Sequence, residues 1–126
     1  MELLVYKASA GSGKTFTLAV EYIKLLILNP RAYRQILAVT FTNKATAEMK
    51  ERILSQLYGI WKGDKDSDAY LKRIIAETGK PVEEVREAAK VALTNMLHDY
   101  SRFRVETIDS FFQSVMRNLA RELELS

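Results

Sequence analysis

Short apolar runs alternate along the chain with longer stretches in which apolar residues recur every three or four positions. The short runs are LLVY at residues 3–6, ILAVTF at 36–41 and the less continuous FRVETI at 103–108. Runs of this length are typical of buried strands, and the longer period is typical of amphipathic helices. The pattern predicts three strands, and it predicts helices over residues 14–28, 42–58, 69–78, 81–100 and from 109 onward.

The predicted order, strand then helix repeated, indicates an α/β fold with a parallel sheet and crossover helices. Residues 59–68 (GIWKGDKDSD) contain two glycines and several charges, so they are predicted to be a linker. Polar segments follow the three strands directly, at residues 8–15, 40–44 and 107–110. Because ligands of such sheets bind beyond the carboxyl ends of the strands, we expect these segments to meet at one edge.

The amino-acid composition excludes several kinds of functional site but does not identify one. The chain has 126 residues, a net charge of +3, no cysteine and one histidine. These counts exclude a disulfide scaffold, a thiolate zinc site, a thiol nucleophile and a histidine-rich metal site. No apolar run approaches the roughly 20 residues needed to span a bilayer, and residues 1–6 lack the basic start of a secretory signal. We therefore expect a cytoplasmic protein.

The segment between the first strand and the first helix, ASAGSGKT, nearly matches the phosphate-binding pattern G-x-x-x-x-G-K-[ST]. Glycines let backbone N–H groups approach an anion, the lysine reaches the terminal phosphates, and the Thr15 hydroxyl is a suitable ligand for Mg²⁺. Alanine replaces the first glycine, and a glycine-rich turn that merely caps a helix is the alternative. The predicted nucleotide-binding residues are Ala8, Ser9, Ala10, Gly11, Ser12, Gly13, Lys14 and Thr15.

Three segments together resemble motifs of superfamily 1 DNA helicases of the UvrD/Rep type. Residues 8–15 resemble motif I, in which alanine is common at the first position. Residues 37–53 (LAVTFTNKATAEMKERI) resemble motif Ia, and residues 107–111 (TIDSF) resemble the T-[FI]-H-[SG]-F motif that follows. With its phosphate loop almost at residue 1, the chain is most similar to the RecB/AddA branch of helicase–nuclease subunits. The resemblance implies a RecA-like P-loop NTPase sheet with flanking helices and a helical insertion.

The resemblance further implies ATP and Mg²⁺ as cofactors, with Lys14 as the catalytic lysine, and translocation along single-stranded DNA. It also implies action on double-stranded DNA ends in the full-length enzyme, in partnership with a second helicase–nuclease subunit. The residues that would contact DNA by position are Thr40, Phe41, Thr42, Asn43, Thr107 and Ser110. Phe41 would offer a face for base stacking, although a core aromatic at a strand end is the alternative. Thr42 also suits a plain helix cap.

Two departures from the family pattern qualify this interpretation. Asp109 replaces the usual histidine of the third motif, and because a carboxylate repels phosphate we expect it to cap the last helix. No apolar strand followed by an Asp-Glu pair occurs after the phosphate loop, so the acidic group that holds Mg²⁺ and activates water is missing. We therefore expect a piece of a larger enzyme that by itself binds nucleotide weakly and hydrolyses it poorly.

The expected organisation is a P-loop core over residues 1–58, a helical insertion over 59–102, and a return to the motor domain over 103–126. The alternative to a helicase is a stand-alone P-loop nucleotide-binding module or a small P-loop kinase without a role on DNA. A kinase would require a catalytic acidic or basic residue after the second strand, where the sequence has Thr42, Asn43 and Lys44.

Overall fold

The computed structural model describes residues 2–5 and 13–124, which form three strands and five α-helices. The elements are β1 (Glu2–Val5), α1 (Gly13–Leu28), β2 (Ile36–Thr40), α2 (Asn43–Lys62), α3 (Asp68–Thr78), α4 (Val82–His98), β3 (Val105–Thr107) and α5 (Ile108–Glu124). Short 3₁₀ turns at Ala32–Gln35, Lys65–Ser67 and Tyr100–Arg102 connect some of them. This helix-rich α/β arrangement follows the predicted order of elements.

The three strands form one parallel sheet in the order β1-β2-β3, as the alternation of strands and helices predicted. Val5 of β1 pairs with Val39 of β2, and Thr40 at the end of β2 pairs with Thr107 at the end of β3. All five residues of the central strand β2 are buried, which explains its continuous apolar run. The register places the carboxyl ends of the strands side by side.

A single apolar core joins the sheet to the helices. On α1, Tyr22, Ile23 and Leu26 are fully buried, which agrees with a helix that is apolar on nearly all sides. On α2, the core positions include Ile53 and Leu57, both fully buried. Side chains from α3, α4 and β3 complete the same cluster. None of the helices in the described ranges is long and apolar enough to cross a membrane.

The predicted linker over residues 59–68 is wrong in its first half, because α2 continues to Lys62. The helix ends at Gly63, which adopts the left-handed conformation typical of a C-cap. Gly59 lies within the helix and is buried, and a Cβ built on it would clash with Oγ of Ser67. The missing side chain thus allows the turn of Lys65–Ser67 to pack directly on the helix.

Candidate functional site

The carboxyl ends of β2 and β3 form one rim of the molecule. Thr40 and Thr107 are register partners, and each is the last residue of its strand. Helix α2 begins three residues after Thr40, and α5 begins directly after Thr107. The two polar segments predicted to meet therefore do meet. The third segment precedes Gly13, and its residues Ala8, Ser9, Ala10, Gly11 and Ser12 lie outside the described residues.

Phe41 is an exposed aromatic at this rim. It follows β2 directly, and 54% of its surface is accessible. The alternative role of Phe41 as a core aromatic is therefore wrong. A solvent-facing ring next to polar backbone groups is the arrangement on which a nucleic-acid base can stack.

Thr40 lies beneath this surface, so the prediction that its side chain contacts DNA is wrong. Its side chain is buried, and its Oγ1 lies 2.6 Å from Oγ1 of Thr46 and donates toward the carbonyl oxygen of Thr42 at 3.2 Å. These bonds fix the path of the chain around Phe41. Thr46 is a member of the site that sequence reasoning missed, because only the fold shows that its hydroxyl faces the end of β2.

Thr42 and Asn43 form the start of α2. Oγ1 of Thr42 accepts a hydrogen bond from the backbone N–H of Ala45 at 3.0 Å, so Thr42 is the N-cap as predicted. Both residues are exposed, as is Lys44. The first N–H groups of a helix carry a partial positive charge, and those that the Thr42 cap does not use belong to exposed residues at the rim, Asn43 and Lys44.

Thr107 caps the start of α5 as Thr42 caps the start of α2. Its Oγ1 accepts a hydrogen bond from the backbone N–H of Ser110 at 3.1 Å. The prediction that Asp109 caps this helix is therefore wrong, because the helix begins at Ile108 and Asp109 lies within its first turn. A carboxylate there still interacts favourably with the helix dipole. Ser110 is exposed beside it.

The last three residues of the predicted phosphate loop, Gly13, Lys14 and Thr15, form the first turn of α1. Thr15 is buried, with 8% of its surface accessible. Since α1 connects β1 to the parallel neighbour β2, its first turn follows the carboxyl end of β1. Among the side chains described, no three His, Asp or Glu residues are placed to hold a metal ion.

Comparisons with known proteins agree with the sequence motifs. The sequence model of a family described as the UvrD/REP helicase N-terminal domain matches residues 2–126. The RecBCD enzyme subunit RecB of Buchnera aphidicola is 33% identical over 122 residues, which cover 88% of this chain and 10% of that protein. ATP-dependent DNA helicase UvrD1 of Mycobacterium leprae is 52% identical over 50 residues, covering 40% of this chain and 6% of that protein.

A third relative, DNA helicase II of Haemophilus influenzae, is 44% identical over 71 residues. The match covers 50% of this chain and 10% of that protein. The chain thus spans a tenth or less of the length of these three relatives. No solved structure matches significantly.

Proposed function

The chain belongs to the UvrD/REP helicase N-terminal domain family, and we propose that it is the ATP-binding part of an ATP-dependent DNA helicase that acts in DNA repair and recombination. The names of its relatives, two DNA helicases and one component of the RecBCD enzyme, support this role. The partners under this proposal are single-stranded DNA, double-stranded DNA ends for the full-length enzyme, and a second helicase–nuclease subunit. The proposed location is the cytoplasm.

We assign the fold to the RecA-like P-loop class. Under this assignment residues 1–58 and 103–126 belong to the motor domain, and residues 59–102 are a helical insertion in it. The parallel order of the strands and the crossover by α1 support the assignment. The small-kinase alternative is not favoured, because the matching family and the relatives' names are those of DNA helicases.

The residues present fit a bound ATP with Mg²⁺. The start of α1 at Gly13 would supply backbone N–H groups for phosphate, and the glycine-containing sequence of residues 8–12 nearly matches the phosphate-binding pattern. Lys14 would bind the terminal phosphates, and the Thr15 hydroxyl is a hard oxygen of the kind that Mg²⁺ prefers. ATP supplies the phosphoanhydride whose hydrolysis drives movement along DNA. This chain's contribution is to hold the phosphates and to orient them.

DNA would bind at the rim formed by β2 and β3. Phe41 would stack on a base, while Thr42, Asn43, Thr107 and Ser110 would bind backbone phosphates through hydroxyl, amide and helix N–H groups. Thr40 would support this surface from below, because its buried hydroxyl is bonded within the protein. The exposure of Phe41 at the rim is the observation that carries the DNA part of the proposal.

Substitution of Phe41 tests this role. Phe41→Ala should weaken binding of a fluorescein-labelled dT oligonucleotide by about 5- to 150-fold, since stacking contributes roughly 1–3 kcal/mol per base. Fluorescence anisotropy at several salt concentrations gives the affinity, which should fall as salt rises because phosphate contacts release counterions.

Tyr100→Ala is the matched control for this measurement. Tyr100 is 45% exposed and precedes β3, so it lies toward the amino end of the sheet. Its substitution should leave the affinity for the oligonucleotide unchanged. Equal affinities for the wild type and Phe41→Ala, with both proteins folded, would refute the assignment of Phe41.

A further inference from the structure

A groove runs between α2 and α4, on a part of the molecule that the proposed ATP and DNA sites do not use. Its volume is about 620 Å³, and it opens to solvent. The side chains from α2 follow the spacing of one helical face, and the turn of Lys65–Ser67 closes one end. The side chains that line its walls include Leu54, Gln56 and Tyr58 of α2 and Leu93 and Leu97 of α4.

Apolar side chains form the middle of the groove. Leu54 and Leu93 come from facing helices and are at least partly buried. Leu97 and Tyr58 are 57% and 48% exposed, so both offer apolar surface that water now covers. An apolar trough between two helices is the geometry into which an amphipathic helix places its anchor residues.

The rim of the groove is acidic, although the chain as a whole has a net charge of +3. Glu51, Asp64 and Asp66 line it, and no lysine or arginine does. Among the described residues none of these three carboxylates makes a salt bridge. The neighbouring Lys62 places its Nζ 4.2 Å from the centre of the Trp61 ring. The groove therefore presents three negative charges that are free to pair with an incoming cation.

Gln56 supplies a second, independent polar feature. Its side-chain Oε1 is buried and has no hydrogen-bond partner within the described chain. A buried acceptor without a partner costs free energy, and a donor from a bound molecule would remove that cost once the Gln56 side chain turned toward it. The groove thus combines an apolar floor, an acidic rim and an unsatisfied acceptor.

We propose that this groove binds a basic amphipathic helix of a partner protein. Apolar side chains of that helix would pack against Leu54, Leu93 and Leu97, and its lysines or arginines would pair with the acidic rim. A protein partner fits better than nucleic acid, because the three carboxylates that line the groove repel phosphate and no lysine or arginine lines it. The groove would therefore recruit a partner without competing for the DNA-binding rim.

Two synthetic helical peptides with the same leucine positions test the proposal. One carries lysine at the flanking positions and the other carries glutamate. Titration into the ¹⁵N-labelled 126-residue chain, followed by NMR, should show binding of the lysine peptide alone. The largest shift changes should fall on residues of the groove, and added salt should weaken the binding.

Variants separate the groove from non-specific attraction. Leu97→Asp and Asp64→Lys should each weaken the lysine peptide by about tenfold or more, the first by removing an apolar anchor and the second by reversing a rim charge. Glu87→Lys reverses a charge in the same way at an exposed site on α4 outside the groove. This variant should bind the lysine peptide about as tightly as the wild type does. Because all three positions are exposed, the variants should fold, which thermal unfolding verifies.

Other outcomes overturn the proposal. Equal binding of the two peptides, binding of neither, or shift changes centred outside the groove would each do so. Shift changes in the groove that depend on protein concentration without peptide would assign it to a second copy of this chain. Binding of benzylammonium with no binding of the lysine peptide would assign it to a small organic cation.

Discussion

Two buried tyrosines show that the effect of a buried hydroxyl on stability depends on whether it has a hydrogen-bond partner. The hydroxyl of Tyr22 has no hydrogen-bond partner among the described residues, and burial raises the pKa of its phenol. Tyr33 is equally buried, but its hydroxyl donates to Oδ2 of Asp99 at 2.9 Å. The hydroxyl of Tyr22 is thus desolvated without a compensating hydrogen bond, whereas that of Tyr33 is bonded to a carboxylate.

Replacing each tyrosine with phenylalanine should therefore have opposite effects. Tyr22→Phe should keep or raise the free energy of unfolding, by up to about 1 kcal/mol, because it removes a buried hydroxyl without a partner. Tyr33→Phe should lower it by about 1.5–3 kcal/mol, since a hydrogen bond to a charged acceptor is lost. Urea denaturation measures both values. Equal losses in the two variants would show that the hydroxyl of Tyr22 is bonded in solution.

At the scale of elements, Asp99 joins the end of α4 to the turn that leads into β2. Its Oδ2 accepts hydrogen bonds from Tyr33 and, at 3.0 Å, from Nε of Arg34, and Arg102 lies 3.8 Å from its Oδ1. The hydrogen bond from Tyr33 and the two guanidinium groups lower the pKa of Asp99 below its ordinary value. The ionised carboxylate therefore favours the folded state.

This lowered pKa predicts an acid-sensitive contribution to stability. The contribution should be complete above the carboxyl's pKa in the unfolded chain, about 3.9, and should be lost as the pH falls through the lower value of the folded protein. Asp99→Asn should be less stable than the wild type at pH 6, and the difference should shrink toward pH 2. Urea denaturation across this range measures it. A difference that stays constant with pH would contradict the account.

The contact between α2 and the turn of Lys65–Ser67 gives a second prediction at this scale. Alanine normally stabilises a helix interior relative to glycine by roughly 1 kcal/mol. Gly59→Ala should instead lower the melting temperature, because the new Cβ would clash with Oγ of Ser67 and lie 2.9 Å from its Cβ. In a Ser67→Gly background the same change should be tolerated better. Thermal unfolding of the four proteins measures the coupling, and additive effects would rule out the proposed clash.

Gly59 also shows why the end of α2 could not be predicted from the sequence. A glycine followed by charged residues is typical of a linker, but Gly59 and Ile60 are both buried within α2, and that burial depends on packing that the local sequence does not show. The three strands could be predicted because their apolar runs are short and alternate with helical patterns. The run ILAVTF could not show that its last residue, Phe41, faces solvent, since strand ends are decided by what covers them.

At the scale of the whole molecule, buried residues stabilise the fold, and exposed residues form the proposed binding surfaces. The core lies among β2, α1, α2 and α4, while the rim at the carboxyl ends of the strands carries polar side chains and Phe41. The spacing of strands and polar segments predicted that rim. The acidic groove could not be predicted, because Glu51, Asp64 and Leu97 are far apart in sequence and no motif joins them.

The exposure of the apolar face of α5 also could not be predicted from the sequence pattern. Its apolar residues recur every three or four positions, a spacing that predicts an amphipathic helix but not what covers it. Four of these residues, Phe112, Met116, Leu119 and Leu123, are 47–74% exposed. Periodicity thus identified the element and its apolar side, while burial depends on contacts that no local pattern contains.

Binding of a fluorescent ATP analogue in the presence of Mg²⁺ tests the central claim, that this chain holds nucleotide phosphates at the start of α1. Lys14→Ala should weaken the binding by about 10- to 100-fold, because a hydrogen bond from a cation to a charged acceptor contributes roughly 1.5–3 kcal/mol. Lys72→Ala, which removes an exposed lysine from α3, should bind like the wild type. If the Lys14→Ala protein folds and binds the analogue as tightly as the wild type does, the assignment of the phosphate site is contradicted.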